Sequence, residues 1–517
     1  MRSTRMRGAR LDATSVGTGS AKVTTPLLTG QDLRPRVTTA ALPALLRFLY
    51  GELTGEQLVQ AGWLSALLCL LVGIYWLMRS LKDSVFATIV GLEYQPLAKM
   101  LSLIVVTILL LVYNKLVDHL TRSGLFYVVC WTYACVFLLI AACLSSTRIG
   151  LNGPNNKPMA ASPWRLIGWL HYFAIESYGS ISVSLFWQFT NSHVSVGGAK
   201  AQYGIIVAGG QLGAISGCAL VLGAKRFGIE QLCAFGGLLT FTVPLLMNTY
   251  RRHVLSHEQR PDLAVVAVSE RRVAPGLFEG LRLIMIHPFV LGIFSVSSLY
   301  KVIATIMDYQ LQCLAKIEHV STAEFAAFMG LFGFVTNCVS LVFSLFGTSC
   351  VIRILGLRYT LMLYPATLGA VAGAVWLFPS PWRLFHMMVG IKGLSYALQS
   401  PSREILYVVT SDSIKLKAKS WIDIFGSHAA KAVGSVVNNT FKNPLRHLIT
   451  YGSLVAFVIA VLLMLLGSWL GRSFEHLSTS GIVIGRDDEP APQKALDEHE
   501  TPSGHELEIL PMSRPRE

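Results

Sequence analysis

Twelve apolar runs of roughly 20 residues, separated by short polar breaks, set the terms for how this chain can fold. A run of that length crosses a hydrocarbon core about 30 Å thick, and backbone inside such a core must satisfy its own hydrogen bonds. Each run is therefore predicted to be a membrane-spanning α-helix. The first six lie at about residues 62–78, 97–114, 124–144, 165–189, 203–222 and 230–248, and the second six at about 288–312, 325–347, 358–378, 383–409, 418–440 and 448–470. Of the 517 residues, 53% are apolar and only 14% charged, so one membrane-embedded unit accounts for the chain better than several soluble domains.

The expected organisation is an N-terminal targeting or disordered segment (1–56), a six-helix half (57–248), a central polar loop (249–287), a second six-helix half (288–470) and an acidic disordered tail (471–517). Two halves of six spans joined by a basic loop that includes Arg251, Arg252, Arg271 and Arg272 are the layout of a transporter whose halves rock about a site near the midplane. No convincing identity relates the two halves in sequence. The basic central loop favours both termini on the cytosolic side or its equivalent. Segment 1–56 is rich in Arg, Ser, Thr and Gly, which suits an organellar transit segment and equally a disordered tail.

A net charge of +14 could suggest nucleic acid, but the Lys and Arg lie in loops and at helix ends rather than in an aromatic-interleaved patch, so no nucleic-acid partner is expected. The nine cysteines show no CxxC or CxxH spacing and fall mostly in apolar runs, so they read as small hydrophobes. No GxxxxGK[ST], HExxH or GxSxG motif occurs, and His171, His253, His386 and His428 are scattered over separate segments. A carrier is expected rather than an enzyme, with no cofactor, metal or protein partner.

An ionisable group inside a span is costly unless it faces a cavity or a partner, which makes such residues functional candidates. Here they are Arg79, Lys82 and Asp83 in the first span, Lys99 in the second, Glu176 in the fourth, Asp308 in the seventh, Arg403 and Glu404 in the tenth, and Asp423 and Lys431 in the eleventh. Glu176 has no cation within a helical turn, so its partner must come from cargo or from another helix, where Lys82 or another cation could pair with it purely to hold helices together. Asp423, Ser427, Lys431, Gly434 and Asn438 form a polar stripe that suits an aqueous path or interhelical hydrogen bonds. The excess of cations fits an anionic cargo. Tyr172, Tyr178 and Trp187 are candidates to stack on a base, or are simply packed. Gly209, Gly213 and Gly217 share one helix face, a spacing that permits close backbone packing.

Several segments are familiar. MRSLKDSVFATIVGLEYQPLAKML, followed by VYNKL and LFY, resembles the opening of the ATP/ADP nucleotide translocases of plastids and obligate intracellular bacteria. YFAIESYGSISVSLFWQFTN, EFAAFMG and SPSREILYVVTSDSIKLKAKSWID are similar to later segments of that family, in the same order. The resemblance implies a major-facilitator-like fold, ATP and ADP as cargo, and transport roles for Lys82, Glu176, Asp308 in place of a family glutamate, and the set Lys415, Lys417 and Lys419. Arg403 is added as a phosphate-binding candidate, with Arg79, Lys99, Asp423 and Lys431 as secondary ones. The sequence departs from the family pattern at Ala430–Gly434, Val409–Asp412 and Leu311–Gln312, which points to the choice of nucleotide or coupling mode. The same resemblance makes a plastid envelope the favoured host membrane, with an endomembrane as the alternative.

Overall fold

Long apolar runs can only bury their peptide groups by coiling, and the computed structural model, which describes residues 55–485 apart from 121, 154–158, 195, 255–276, 347 and 412–413, is built of helices. Twelve are long: α1 (Gly55–Phe86), α2 (Gln95–His119), α3 (Arg122–Leu144), α4 (Leu166–His193), α5 (Val196–Leu222), α6 (Ile229–His253), α7 (Pro288–Glu318), α8 (Thr322–Phe346), α9 (Thr348–Leu377), α10 (Pro381–Leu394), α11 (Ser427–Phe441) and α12 (Ser453–Ser480). Turns of π-helix extend four of them: Ala87–Gly91 follows α1, Ser395–Gln399 carries α10 on to Ser400–Leu406, Ile414–Ala418 and Ile422–Gly426 lead into α11, and Leu448–Gly452 leads into α12. Proline stands at the start of α2, α7 and α10, where its missing N–H costs nothing. Gly91, at φ 114°, makes the reversal between α1 and α2.

Among the described residues, eight stretches are long and apolar enough to cross a membrane, and the first, Gly55–Tyr113, contains α1 and most of α2. Helix α4 is long enough but not apolar enough, and α10 and α11 are only 14 and 15 residues long; all three carry polar side chains, among them Glu176, Lys392 and Lys431. They are the helices from which a polar interior can be built.

Packing reveals a repeat that residue identity conceals. In the first half α1 packs on α4, α5 and α6, and α3 packs on α6; in the second, α7 packs on α10, α11 and α12, and α9 packs on α12. Every one of these pairs recurs six helices later. Each half has its own apolar core. The halves meet where α2 packs on α11 and α5 on α8, with α1 also against α8.

The tightest contact is α1 on α5. A Cβ added at Gly213 would strike the carbonyl oxygen of Cys69, and one at Gly217 that of Gly73, so the glycine face predicted from the sequence lets two backbones touch. One correction concerns the C-terminal tail. Residues 471–480, expected to be disordered, continue α12 because Phe474 and Leu477 pack against the second core, and Ile484 then hydrogen-bonds Val409 and Ser411. The N-terminal segment up to residue 54, expected to be targeting or disordered, most of the central loop and the acidic tail from residue 486 lie outside the described residues.

Candidate functional site

Lys82 and Asp83 are buried within the last turn or so of α1. Lys82 Nζ forms an ion pair and hydrogen bond with Glu176 Oε1 on α4, and lies 4.2 Å above the ring of Tyr172. The second oxygen of Glu176 faces Lys431 of α11 at 3.7 Å. Glu176 thus joins one cation of its own half to one of the opposite half. Asp83 accepts hydrogen bonds from Gln95 of α2 at 2.8 Å and from Gln312 of α7 at 3.2 Å, and those two amides also bond each other. Arg79 donates to Tyr75 at 2.7 Å and lies 5.3 Å over the Trp76 ring. On α7, Asp308 pairs with Lys392 of α10 at 2.9 Å.

These groups surround two adjoining cavities of about 50 and 60 Å³ between the halves. Arg79, Asp83, Asp308 and Gln312 line both. Lys82, Lys99, Glu176 and Lys431 complete the more polar one, while Trp76, Met329, Phe332 and Lys392 line the other. Five cations (Arg79, Lys82, Lys99, Lys392 and Lys431) face three carboxylates (Asp83, Glu176 and Asp308), so the lining carries a net positive charge. Paired charges of this kind are tolerable away from water, and the surplus attracts an anion.

Seven residues singled out from the sequence are therefore brought together: Arg79, Lys82, Asp83, Lys99, Glu176, Asp308 and Lys431. The others lie apart from the cavities. Arg403 pairs with Asp423 at 3.1 Å, and Lys419 with Glu404 at 2.6 Å. Lys415 and Lys417 sit in the π-turn Ile414–Ala418, which packs against the short helix Leu277–Ile286. The polar stripe of α11 is mostly structural: Asn438 donates to the Thr305 carbonyl at 3.1 Å and Gly434 lies against Val302, leaving Lys431 to face the cavity. Tyr172, Tyr178 and Trp187 pack edge-on against Phe86, Tyr133 and Tyr203 in the first core, whereas the aromatic rings at the cavity are Trp76 and Phe332. Lys392 was overlooked in the sequence, although a lone lysine in the apolar run HMMVGIKGLSYAL meets the same criterion as Glu176.

At the end of the bundle opposite Gly55 and Ser480, the halves are joined by further polar contacts. Thr88 meets Thr322 at 2.8 Å, Lys442 donates to the Glu93 carbonyl at 3.1 Å, Tyr309 donates to the Leu92 carbonyl at 3.3 Å, and Lys225 pairs with Glu324 at 3.0 Å.

The family model described as TLC ATP/ADP transporter matches residues 57–379, which include the cavity-lining residues of α1, α2, α4, α7 and α8. The chain belongs to the TLC ATP/ADP transporter family. ADP,ATP carrier protein 1 of Chlamydia muridarum (strain MoPn / Nigg) is 23% identical to this TLC family member over 448 residues, 77% of this chain and 84% of that one. ADP,ATP carrier protein 1 of Rickettsia prowazekii (strain Madrid E) is 23% identical over 421 residues, 72% and 83% of the two chains. Both relatives are bacterial, and they lend no support to a plastid envelope for this TLC protein. Among solved structures, a D-xylose-proton symporter superposes with a TM-score of 0.57 at 11% identity, covering 79% of this chain and 97% of that one. The nucleoside transporter NupG superposes with a TM-score of 0.50 at 14% identity, covering 82% and 99%. At such identities the likeness establishes the fold, a two-half transporter bundle, and the protein is an integral multi-pass membrane protein.

Proposed function

We propose that this protein exchanges ATP for ADP across its membrane by alternating access, with the cavity between the halves as the cargo site. The observation that carries the reading is the net-cationic lining drawn from both halves, in a chain of the TLC ATP/ADP transporter family. Nucleotide phosphates are polyanions, and Lys and Arg can replace the water they lose on entering a membrane. Lys82, Lys431, Arg79 and Lys99 are assigned to phosphate binding. Glu176 and Asp308 hold these cations in the resting state, so that the cavity need not sit open with uncompensated charge.

Cavities of about 50 and 60 Å³ hold a few waters at about 30 Å³ each, whereas ligand pockets run to about 300–1,000 Å³. Cargo entry therefore requires the halves to part. The polar contacts at the end opposite the chain termini close that side, so the site opens first toward the side of Gly55 and Ser480. Arg403, Lys415, Lys417 and Lys419 lie on the terminal side of the bundle, with α10 ending and the approach to α11 beginning there, and are assigned to drawing the anion in rather than to holding it. The basic segment 1–56 is the ground for an organellar host membrane.

The departure at Ala430–Gly434, beside the cavity residue Lys431, favours one second reading: a different nucleotide or phosphorylated anion as cargo. One experiment addresses both. Proteoliposomes holding the purified carrier should take up labelled ATP when loaded with ADP, and should do so poorly when empty. Uptake of another labelled phosphorylated anion with none of labelled ATP would replace the cargo, and uptake independent of internal nucleotide would remove exchange.

A further inference from the structure

The six-helix shift that relates the packing of the two halves also relates their buried charges. Lys82 on α1 stands 13 residues ahead of Gln95, where α2 begins; Asp308 on α7 stands 14 residues ahead of Thr322, where α8 begins. Glu176 is the eleventh residue of α4 and Lys392 the twelfth of α10. In each half, then, the first and fourth helices are tied at one level by an ion pair: Lys82 to Glu176, and Lys392 to Asp308 at 2.9 Å. The polarity is inverted. The cation is on the first helix of one half and on the fourth helix of the other.

The two pairs differ in exposure. The side chains of Lys82 and Glu176 are 4% and 10% exposed, those of Lys392 and Asp308 24% and 22%. An ammonium group has three donors, so Lys392 can turn toward an incoming oxyanion without first being stripped of its partner. Asp308 would not then be stranded, because Lys99 lines the same cavity and lies within its electrostatic reach. Beside Lys392, whose Nζ is 5.1 Å from the Phe332 ring centroid, the wall is aromatic and apolar through Trp76, Met329 and Phe332.

We propose that Lys392 is a cargo-binding cation, the second half's counterpart of Lys82, with Asp308 as its resting counter-charge. A phosphate-bearing cargo then closes on one cation from each half, Lys82 from α1 and Lys392 from α10. Contacts made to both halves at once differ between the open and closed states, and only a difference of that kind can drive a conformational change. This inference rests on the nucleotide reading.

The test is labelled ATP uptake by proteoliposomes holding wild type, Lys392→Gln, Lys392→Arg and the double variant Lys392→Gln with Asp308→Asn. The double variant leaves no unpaired charge behind, so it separates a binding role from a structural tie. Lys392→Gln and the double variant should each raise the half-saturating ATP concentration about tenfold, the scale of a lost charge-assisted hydrogen bond, and Lys392→Arg should stay nearest wild type. ATP-induced thermal stabilisation of the purified proteins, reduced in the same two variants, reads binding where uptake is too slow. Wild-type vesicles without nucleotide uptake overturn the nucleotide reading and this inference with it. Wild-type uptake with an unaltered half-saturation in Lys392→Gln, or restored in the double variant, overturns this inference alone.

Discussion

Glu176 sits where three helices from two halves converge, and its two oxygens serve different partners. Lys82 is within its own half, and Lys431 is across the interface. Removing one member of a buried pair leaves the other as an uncompensated charge, at a cost of about 3–5 kcal/mol. Glu176→Gln should therefore lower the melting temperature of the detergent-purified carrier and stop exchange. Lys225→Ala, which deletes a pair whose lysine side chain is 63% exposed, should barely move that temperature. Equal shifts in the two variants would show that the Glu176 pair is as well solvated as the surface one. Glu176, Lys82 and Asp308 were legible as candidates because a charge alone in an apolar run is expensive wherever it lands. Lys82 stood as one possible partner of Glu176, but no local spacing could single it out, since 94 residues separate the two.

Among the helices, α1 and α5 approach most closely, and the reason lies in residues without side chains. Gly213→Leu would push a branched chain into the Cys69 carbonyl and should cost about 2 kcal/mol or more in overpacking, measured as reduced thermal stability and lower yield of folded carrier. Gly62, also on α1, has open space around its Cα; Gly62→Ala should be neutral or stabilise by about 0.5–1 kcal/mol. A stable Gly213→Leu variant would mean that α1 and α5 can separate freely. The four-residue glycine spacing was readable without a structure because 3.6 residues per turn place those positions on one face. The stripe on α11 was readable too, but its meaning was not. A polar face toward a cavity and one toward a neighbouring helix look alike in sequence, and only the contact of Asn438 with Thr305 assigns most of it to packing.

For the molecule as a whole, the closed end joins the halves through hydrogen bonds from Thr88, Lys442 and Tyr309 and an ion pair from Lys225. Such contacts can be made and broken at modest cost, as a carrier that cycles between two states needs. In a background lacking native cysteines, Thr88→Cys with Thr322→Cys should be joined by a short thiol-specific crosslinker, with loss of ATP/ADP exchange. Unlinked single-cysteine carriers should keep their activity under the same treatment. Continued exchange by the crosslinked protein would mean that this end does not open during transport.

Hydropathy alone determined that the chain spans a membrane as a helical bundle in two sixes, because a 20-residue apolar run has few other ways to satisfy its backbone in lipid. Local pattern also marked most of the charges that line the cavities. Tertiary structure decided which of them meet: it gathered Arg79, Lys82, Lys99, Glu176, Asp308 and Lys431 around one interface and left Arg403 and Lys415 to Lys419 beside it. It decided as well that Lys392 belongs with the first group, opposite Asp308. The physical reason is that the energy of a buried charge depends on what lies within a few ångströms of it, and in a bundle those neighbours come from helices far away in the chain.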